Sequence, residues 1–594
     1  MAERYQSLRR LKEDSIRLVR EFVLTKGGIE VDGRVLRSGE IAGWRLPLPI
    51  PGHRVVARLA LTLDFPFKPP RITLEEGPYF LRIPHVDESE VLCLNPHATT
   101  FSPDQPVEVT RLILDKAAEI VAEGLAGWNR EDFVAEFRNY WDGYRDSQQN
   151  RVRSLLTRFD RTRLISYWAG KDFWVVGENR EQIEQWLGRV YREKRDAKRQ
   201  IRETVFVALP APLYPLDYPR TNADFRRMAQ ADSLLAQIVP QENRDLPVVF
   251  AFLGEAGPVL AGLRLQDPTV PLSAPGTKVR HSARDGFRPG KIPAQHLLPR
   301  YYGPSPAFPL AVDRIDSQWL QERGGSGFDR SLAGRTVAIV GCGSLGASVA
   351  LALCQSGVGR LRLIDNQIYS WDNVARHVLP GDYVGYAKDD SLKTFLAQIA
   401  PSADITASNQ RSLQQVMERD PTFAEIELVV STTGDWATEA YLNAAARTTR
   451  VFPNVVYGWT EPFGVAGHAL ACLQQGGCLA CGCDQTGLFQ NRVTNWPIGR
   501  QIFNQAAGCS DLFQPYGVLD VAPVRGMIAD VALKVLRREL TSSTHFSWIG
   551  EVSRIGALGA RVSEAWIGRT KGSPGCQRFQ TPWNPHGKCP LCSE

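Results

Sequence analysis

Apolar residues recur at helical spacing near the start of the chain. Leu8, Leu11, Ile16, Leu18, Val19, Phe22 and Val23 form one stripe and predict an amphipathic helix over 5–24. The period then shortens to two. Val55, Ala57, Leu59, Leu61 and Leu63 alternate with other residues and predict a strand over 54–63, after strands at 29–36 and 43–48. Pro66, Pro69 and Pro70 stop that run, and 71–74 resumes it. Helical spacing returns over 107–124 and 130–141. One helix, a meander of strands, a stretch bearing Cys93 and closing helices predict a compact α+β domain over residues 1–150.

The middle of the chain is less regular. Strand patterns lie at 173–176, 204–208 and 247–251, with a charged helix pattern over 181–199. Nine prolines between Pro268 and Pro309 predict an extended connector that closes a mixed linker domain over 151–310. From residue 335 strands and helices alternate: strand 336–340, helix 344–356, strand 360–364, and a later strand at 427–431. That alternation predicts a parallel, doubly wound sheet over 311–594. The expected fold is therefore multidomain α/β, and no internal repeat is evident.

Composition narrows the function classes. The 594 residues, 43% hydrophobic and 23% charged, suit a globular protein of two to four domains. A net charge of +6 is dilute, no long basic run occurs, and aromatics do not interleave with Lys or Arg. No nucleic-acid partner is expected. The charged start, from Arg4 to Arg17, does not read as a signal peptide, and no apolar run is long enough for a membrane span. A cytoplasmic protein is the expectation. Nine of the eleven cysteines lie beyond residue 350, a clustering that points to metal or catalysis rather than disulfides.

The strongest motif is strand 336–340 running into Gly341-Cys-Gly343-Ser-Leu-Gly346 at a helix start. Gly341 permits the tight turn, Gly343 lets backbone approach phosphate, and Gly346 permits close helix packing. Asp365 follows 19 residues after Gly346, placed for ribose hydroxyls. Taken alone this pattern also fits a NAD enzyme. The continuation Asp365-Asn-Gln-Ile-Tyr-Ser-Trp-Asp-Asn373-Val-Ala-Arg376-His377 resembles the nucleotide segment of the ThiF/MoeB/ubiquitin-E1 adenylating family. The resemblance implies a Rossmann-like adenylation domain that uses ATP and Mg²⁺. It assigns ribose binding to Asp365, nucleotide contacts to Asn373 and Arg376, a phosphate-binding role to Lys388, and association with Mg²⁺ to Asp435. Asn366 and Gln367 depart from the family's second Asp, and His377 from its usual Gln. The family pairs as a homodimer and often borrows an arginine from its partner, for which Arg323 and Arg330 are candidates.

Cys478-Leu-Ala-Cys481 and Cys589-Pro-Leu-Cys592 are two C-x-x-C knuckles, the spacing of a closed structural Zn²⁺ site. Cys483 and Cys576 lie near enough in sequence to substitute, and a single redox pair is the competing reading. Cys509 sits in a Gly-flanked polar loop before an apolar helix over 519–540, and is the candidate thioester nucleophile. A structural cysteine is the alternative there, with Cys472 and Cys483 as fallback nucleophiles.

Phe65-Pro-Phe-Lys-Pro-Pro-Arg-Ile72 resembles a run found in ubiquitin-conjugating (UBC-like) E2 enzymes. Val91-Leu-Cys93-Leu-Asn95 resembles their active-site segment, with Phe101-Ser-Pro103 at the expected distance beyond it. Ile83-Pro-His85 occupies the place of their His-Pro-Asn. The resemblance makes Cys93 the acceptor cysteine and puts His85 where an Asn supports the oxyanion.

An E2-like domain, a linker and an E1-like domain in one chain resemble the E2–E1 fusions of bacterial anti-phage CBASS operons. That implies an activated protein C-terminus, that of a cGAS/DncV-like nucleotidyltransferase, passed from Cys509 to Cys93 and on to a target lysine. An activator of a sulphur-carrier or ubiquitin-like protein, and a non-catalytic scaffold, remain alternatives.

Overall fold

A computed structural model describes residues 6–94, 102–143, 151–190, 200–242, 244–255, 257–268, 293–322, 330–409, 411–419, 421–449, 451–505, 512–570 and 572–592. Cys509, Arg323 and Phe101 lie outside the described residues, and Arg330 opens a 3-10 turn, Arg330–Gly334. The chain forms two units: residues 1–183 with 195–315, and residues 184–194 with 316–594.

The first unit starts with the helix Gln6–Thr25, whose Val19 and Val23 are fully buried. An antiparallel meander follows, ordered Ile29–Glu30, Glu40–Leu48, Val55–Thr62 and Arg71–Glu75. The first strand is far shorter than the sequence pattern predicts. Asp32 accepts a hydrogen bond from the Arg34 backbone N–H at 2.9 Å, and the chain leaves the sheet in the 3-10 turn Gly33–Val35. An Asp-Gly pair favours such a turn over a ladder. Trp44, Leu59 and Ile72 of the meander pack with Val109, Ala117 and Val121 of the helix Pro106–Ala126.

The predicted helix over 130–141 breaks in two, Asp132–Ala135 and Phe137–Gly143, because Glu136 adopts φ −104°, ψ 18°. The break lets one segment serve two neighbours. Phe137 and Trp141 enter the core of the second sheet in this unit, beside Val152, Phe206 and Phe250. Trp141 Nε1 donates to the Leu310 carbonyl at 3.2 Å. The face carrying Asp132, Glu136 and Tyr140 turns to His85.

That second sheet has eight strands, in the order Ala307–Leu310, Gly257–Leu265, Leu246–Gly254, Arg202–Ala208, Arg163–Ala169, Phe173–Gly177, Arg151–Ser154 and Val312–Arg314. The proline-dense stretch thus carries regular structure where the sequence predicts an extended connector. Ala294–Tyr301 is a helix, Ala307–Leu310 is an edge strand, and 269–292 lies outside the described residues. Pro309 is tolerated because an edge strand needs only one ladder. Val312–Arg314 pairs in parallel with Arg151–Ser154, and Arg151 Nε donates to Asp313 Oδ2 at 2.7 Å.

The second unit is built on another eight-stranded sheet. Asp404–Ala407, Arg360–Ile364, Thr336–Val340, Leu428–Ser431 and Asn454–Thr460 run parallel. Ala466–Cys472, Thr544–Ile549 and Gln577–Pro582 continue it antiparallel. Thr336–Val340 is central and buried along its whole length, which its unbroken apolar run requires. The helices Ser344–Gln355 and Val518–Leu536 pack together on the core that contains Ile339, Val349 and Ile528. The doubly wound expectation for this half is met. No helix among the described residues is long and apolar enough to cross a membrane.

Candidate active sites and zinc clip

The carboxyl end of the central parallel strands holds a cleft of about 420 Å³, where an open α/β sheet binds its ligand. Gly341, Gly343, Asp365, Gln367, Arg411, Thr432, Thr433 and Asp435 line it. Gly341 takes φ +84°, a conformation that favours glycine. A Cβ on Gly346 would lie 1.9 Å from the Gly341 carbonyl oxygen, so only glycine lets the helix close on the loop. Gly343 is the N-cap of that helix and gives it no side-chain capping bond. The first N–H groups of the helix therefore have no side-chain cap, an arrangement suited to phosphate.

Asp365 fixes the loop from the neighbouring strand. Its Oδ2 accepts from the Cys342 N–H at 2.7 Å and its Oδ1 from the Gln367 N–H at 2.8 Å. Burial nevertheless pushes its carboxyl up from the ordinary aspartate value. Lys388 is buried, and its Nζ donates to Gln367 Oε1 at 2.7 Å. Burial lowers its ammonium and the Asp365 charge opposes that shift. Gln367, which departs from the family's acid, thus supplies a neutral acceptor for the lysine. His377 Nε2 lies 2.7 Å from the Cys342 carbonyl, and its Nδ1 accepts from the Leu379 N–H at 3.1 Å. Burial pushes this imidazole down to about 4, so at neutral pH it is an uncharged strut with Nε2–H as the donor.

Asp435 caps the helix Trp436–Thr448, accepting from the Thr438 N–H at 2.9 Å and the Thr438 hydroxyl at 2.6 Å. The bonds from Thr438 hold its carboxyl below the usual range. A carboxylate at the cleft's edge suits Mg²⁺. Asn373 closes a capping box with Ser370 on the short helix Trp371–Val374, and the Arg376 carbonyl accepts from the Ser344 hydroxyl at 2.8 Å. The structure therefore gathers Gly341, Gly343, Asp365 and Asp435 on the cleft wall. Gly346, Asn373, Arg376 and Lys388 are not among the residues that line it. Sequence reasoning missed Arg411, which carries no motif, and gave no role to Thr432 and Thr433, although they lie in the run that ends at Asp435.

Cys478, Cys481, Cys589 and Cys592 converge, with all four sulfurs within 4.8 Å of one another. Cys478 Sγ lies 3.9 Å from Cys481 Sγ and 3.6 Å from Cys589 Sγ. A tetrahedral site with Zn–S of about 2.3 Å separates its sulfurs by about 3.8 Å, so the set fits zinc. Asn443 Nδ2 donates to Cys478 Sγ at 3.5 Å, and the His586 N–H donates to Cys481 Sγ at 3.4 Å, as thiolate ligands require. Cys483 is not part of the cluster, and burial pushes its thiol up to about 12. Burial pushes Cys472 up as well, which argues against both fallback nucleophiles.

Cys93 is exposed and lies between two clefts in the first unit. One, of about 690 Å³, is lined by Leu63, Pro69, Ile72 and Leu94. The other, of about 460 Å³, is lined by His85, Glu88, Glu136, Asn139 and Tyr140. The Cys93 N–H donates to the His85 carbonyl at 2.7 Å. The His85 N–H donates to the Tyr140 hydroxyl at 2.6 Å, which donates in turn to Glu136 at 3.1 Å. The His85 ring lies between two carboxylates, with Nε2 2.9 Å from Asp132 and Nδ1 3.3 Å from Glu136. Glu136 first, then Asp132, raise its pKa against the cost of burial. Both N–H groups of the protonated ring face acids. Delivering one to an oxyanion at Cys93 requires the ring to release a carboxylate.

The comparisons with known proteins agree with this arrangement. Residues 317–547 match the ThiF family and residues 33–149 match prokaryotic E2 family B. The chain thus joins an E2-like segment to a ThiF segment, the make-up of an E1/E2 fusion. The fusion is 24% identical over 379 residues to the ATP-dependent ubiquitin transferase-like protein Cap2 of Pseudomonas aeruginosa, covering 62% of this chain and 65% of that protein. It is 26% identical over 220 residues to the Cap2 of Vibrio cholerae, covering 35% and 36%. The match thus spans less than two thirds of either relative. The molybdopterin-synthase adenylyltransferase of Escherichia coli is 35% identical over 130 residues, covering 21% of the fusion and 51% of that protein.

Proposed function

We propose that the fusion activates the C-terminal carboxylate of a protein with ATP and conjugates that protein to a target lysine. The observation that carries the reading is the single cleft that joins the glycine loop, Asp365 and Asp435. Its chemistry follows from those residues. A substrate carboxylate oxygen attacks the α-phosphorus of ATP, the bond to the β-phosphate oxygen breaks, and pyrophosphate leaves. Glycine-loop N–H groups, Arg376 and Lys388 offset the charge that develops. Mg²⁺ held near Asp435 would screen the phosphate oxygens.

The Cys509 sulfur then attacks the acyl carbon and AMP leaves. Cys93 takes the acyl group by thioester exchange, which frees Cys509. An amine attacks there, the C–S bond breaks and an isopeptide forms. The proton of the amine passes to the acidic cleft that holds His85 and Glu136. A cGAS/DncV-like nucleotidyltransferase is the substrate proposed, in anti-phage defence, and the ATP-using half pairs with a second copy through which Arg323 or Arg330 reaches the site. The resemblance to molybdopterin-synthase adenylyltransferase supports a second reading, in which the activated protein is a ubiquitin-like or sulphur-carrier protein.

The test is an ATP-dependent, thiol-sensitive adduct read by mass spectrometry. Cys509→Ala should abolish the adduct on Cys93, and Cys93→Ala should leave one on Cys509. Charging of Cys93 in the Cys509→Ala chain would remove Cys509 from the path. Normal pyrophosphate exchange in Asp435→Ala would remove the metal role.

A further inference from the structure

Arg525 belongs to none of the sequence motifs and stands beside the glycine loop. It rises from the helix Val518–Leu536. Its Nη2 donates to the Ser344 hydroxyl at 2.6 Å and to the Arg376 carbonyl at 2.7 Å. Its Nε is buried and has no hydrogen-bond partner. Among the described residues no carboxylate pairs with it, and burial lowers its pKa from the ordinary arginine value.

A half-buried guanidinium without an acid is costly unless an anion completes it. The surroundings add to the positive charge. Ser344 is the first residue of the helix whose N-cap, Gly343, supplies no side-chain capping bond. Lys388 and Arg525 both act on His377 as neighbouring cations, and that ring is uncharged. The site therefore presents cations and uncapped N–H groups together, with Asp365 already bonded to backbone.

We propose that Arg525 is a phosphate-binding residue of the adenylation site, acting from a helix more than 170 positions beyond the glycine loop. The inference rests on the adenylation reading of that cleft. The guanidinium meets a phosphate oxygen of ATP and, through the Arg376 carbonyl, fixes the segment that carries Arg376. A planar fork suits both tasks.

The test compares full-length wild type, Arg525→Gln and Arg525→Lys by calorimetric titration with a non-hydrolysable ATP analogue and with adenosine. Arg525→Gln should weaken the ATP analogue about tenfold and leave adenosine unchanged, since only the phosphates lose a charge-assisted bond. Arg525→Lys should recover part of the loss. Unchanged affinity for the analogue in Arg525→Gln overturns the proposal. So does an equal loss for analogue and adenosine, which would mark a merely structural role. If Arg525→Gln does not fold, Arg525→Lys decides. A loss of about threefold confined to the analogue supports the role, because lysine keeps the charge but not the fork, and no loss overturns it. A wild-type chain that binds neither compound overturns the adenylation reading itself.

Discussion

His85, read from the Ile83-Pro-His85 run as standing where E2 enzymes carry an amide, is a titrating group whose neighbours set its behaviour. Glu136 raises its pKa most, with Asp132 next. A histidine raised in the folded state adds stability below its ordinary value of 6.5, and that stability fades as pH rises through the folded value. Glu136→Gln should therefore move the His85 titration to lower pH, read from the ring proton shifts by NMR. The stability gap between wild type and variant should close as the solution becomes alkaline. Asp132, Glu136 and Tyr140 follow a four-residue spacing, but the sequence reading did not connect them to His85, because nothing local brings residues some 50 positions apart together. The glycine loop was legible, because a Cβ at Gly346 collides with backbone. Arg525 was not legible. Its partners Ser344 and Arg376 are 181 and 149 residues away, and nothing local marks it.

At the scale of elements, two contacts decide what holds. The helix Phe137–Gly143 inserts Phe137 and Trp141 into the core of the middle sheet. Trp141→Ala should cost about 3–5 kcal/mol in denaturant unfolding of the first unit, through the cavity and the lost bond to Leu310. The sequence pattern predicts this helix unbroken, since periodicity cannot register the turn at Glu136 that lets its two faces part. The four-cysteine cluster brings the loop after Ala466–Cys472 to the chain beyond Gln577–Pro582, where a zinc ion would tie them. Metal analysis should find about one zinc per chain, and chelation should lower the unfolding temperature by about 10 °C. The four cysteines were readable from spacing alone. The middle sheet's strand order was not, because no motif marks which of its short apolar runs are neighbours.

At the scale of the molecule, the proposed path puts both of its cysteines on one polypeptide and so predicts transfer within a chain. Charging of Cys93 in the wild type should then proceed at a rate independent of protein concentration. A mixture of Cys93→Ala and Cys509→Ala chains, kept from exchanging subunits, should charge Cys93 only in proportion to concentration, or not at all. Quench-flow over a range of dilutions separates the two. Two-enzyme organisation was legible from the motifs at either end. That the proline-dense stretch belongs partly to a folded sheet was not, since proline density excludes helix and central strand yet permits an edge.

The parallel pairing of Val312–Arg314 with Arg151–Ser154 has a geometric outcome for that stretch. Entry and exit of the segment between them are adjacent, stitched by Arg151 and Asp313. Slack within the segment is spent inside a closed loop and adds no reach to what lies beyond residue 315. The segment behaves as a cassette with neighbouring ends, the form in which one folded body can be set into another without moving either side of the insertion point.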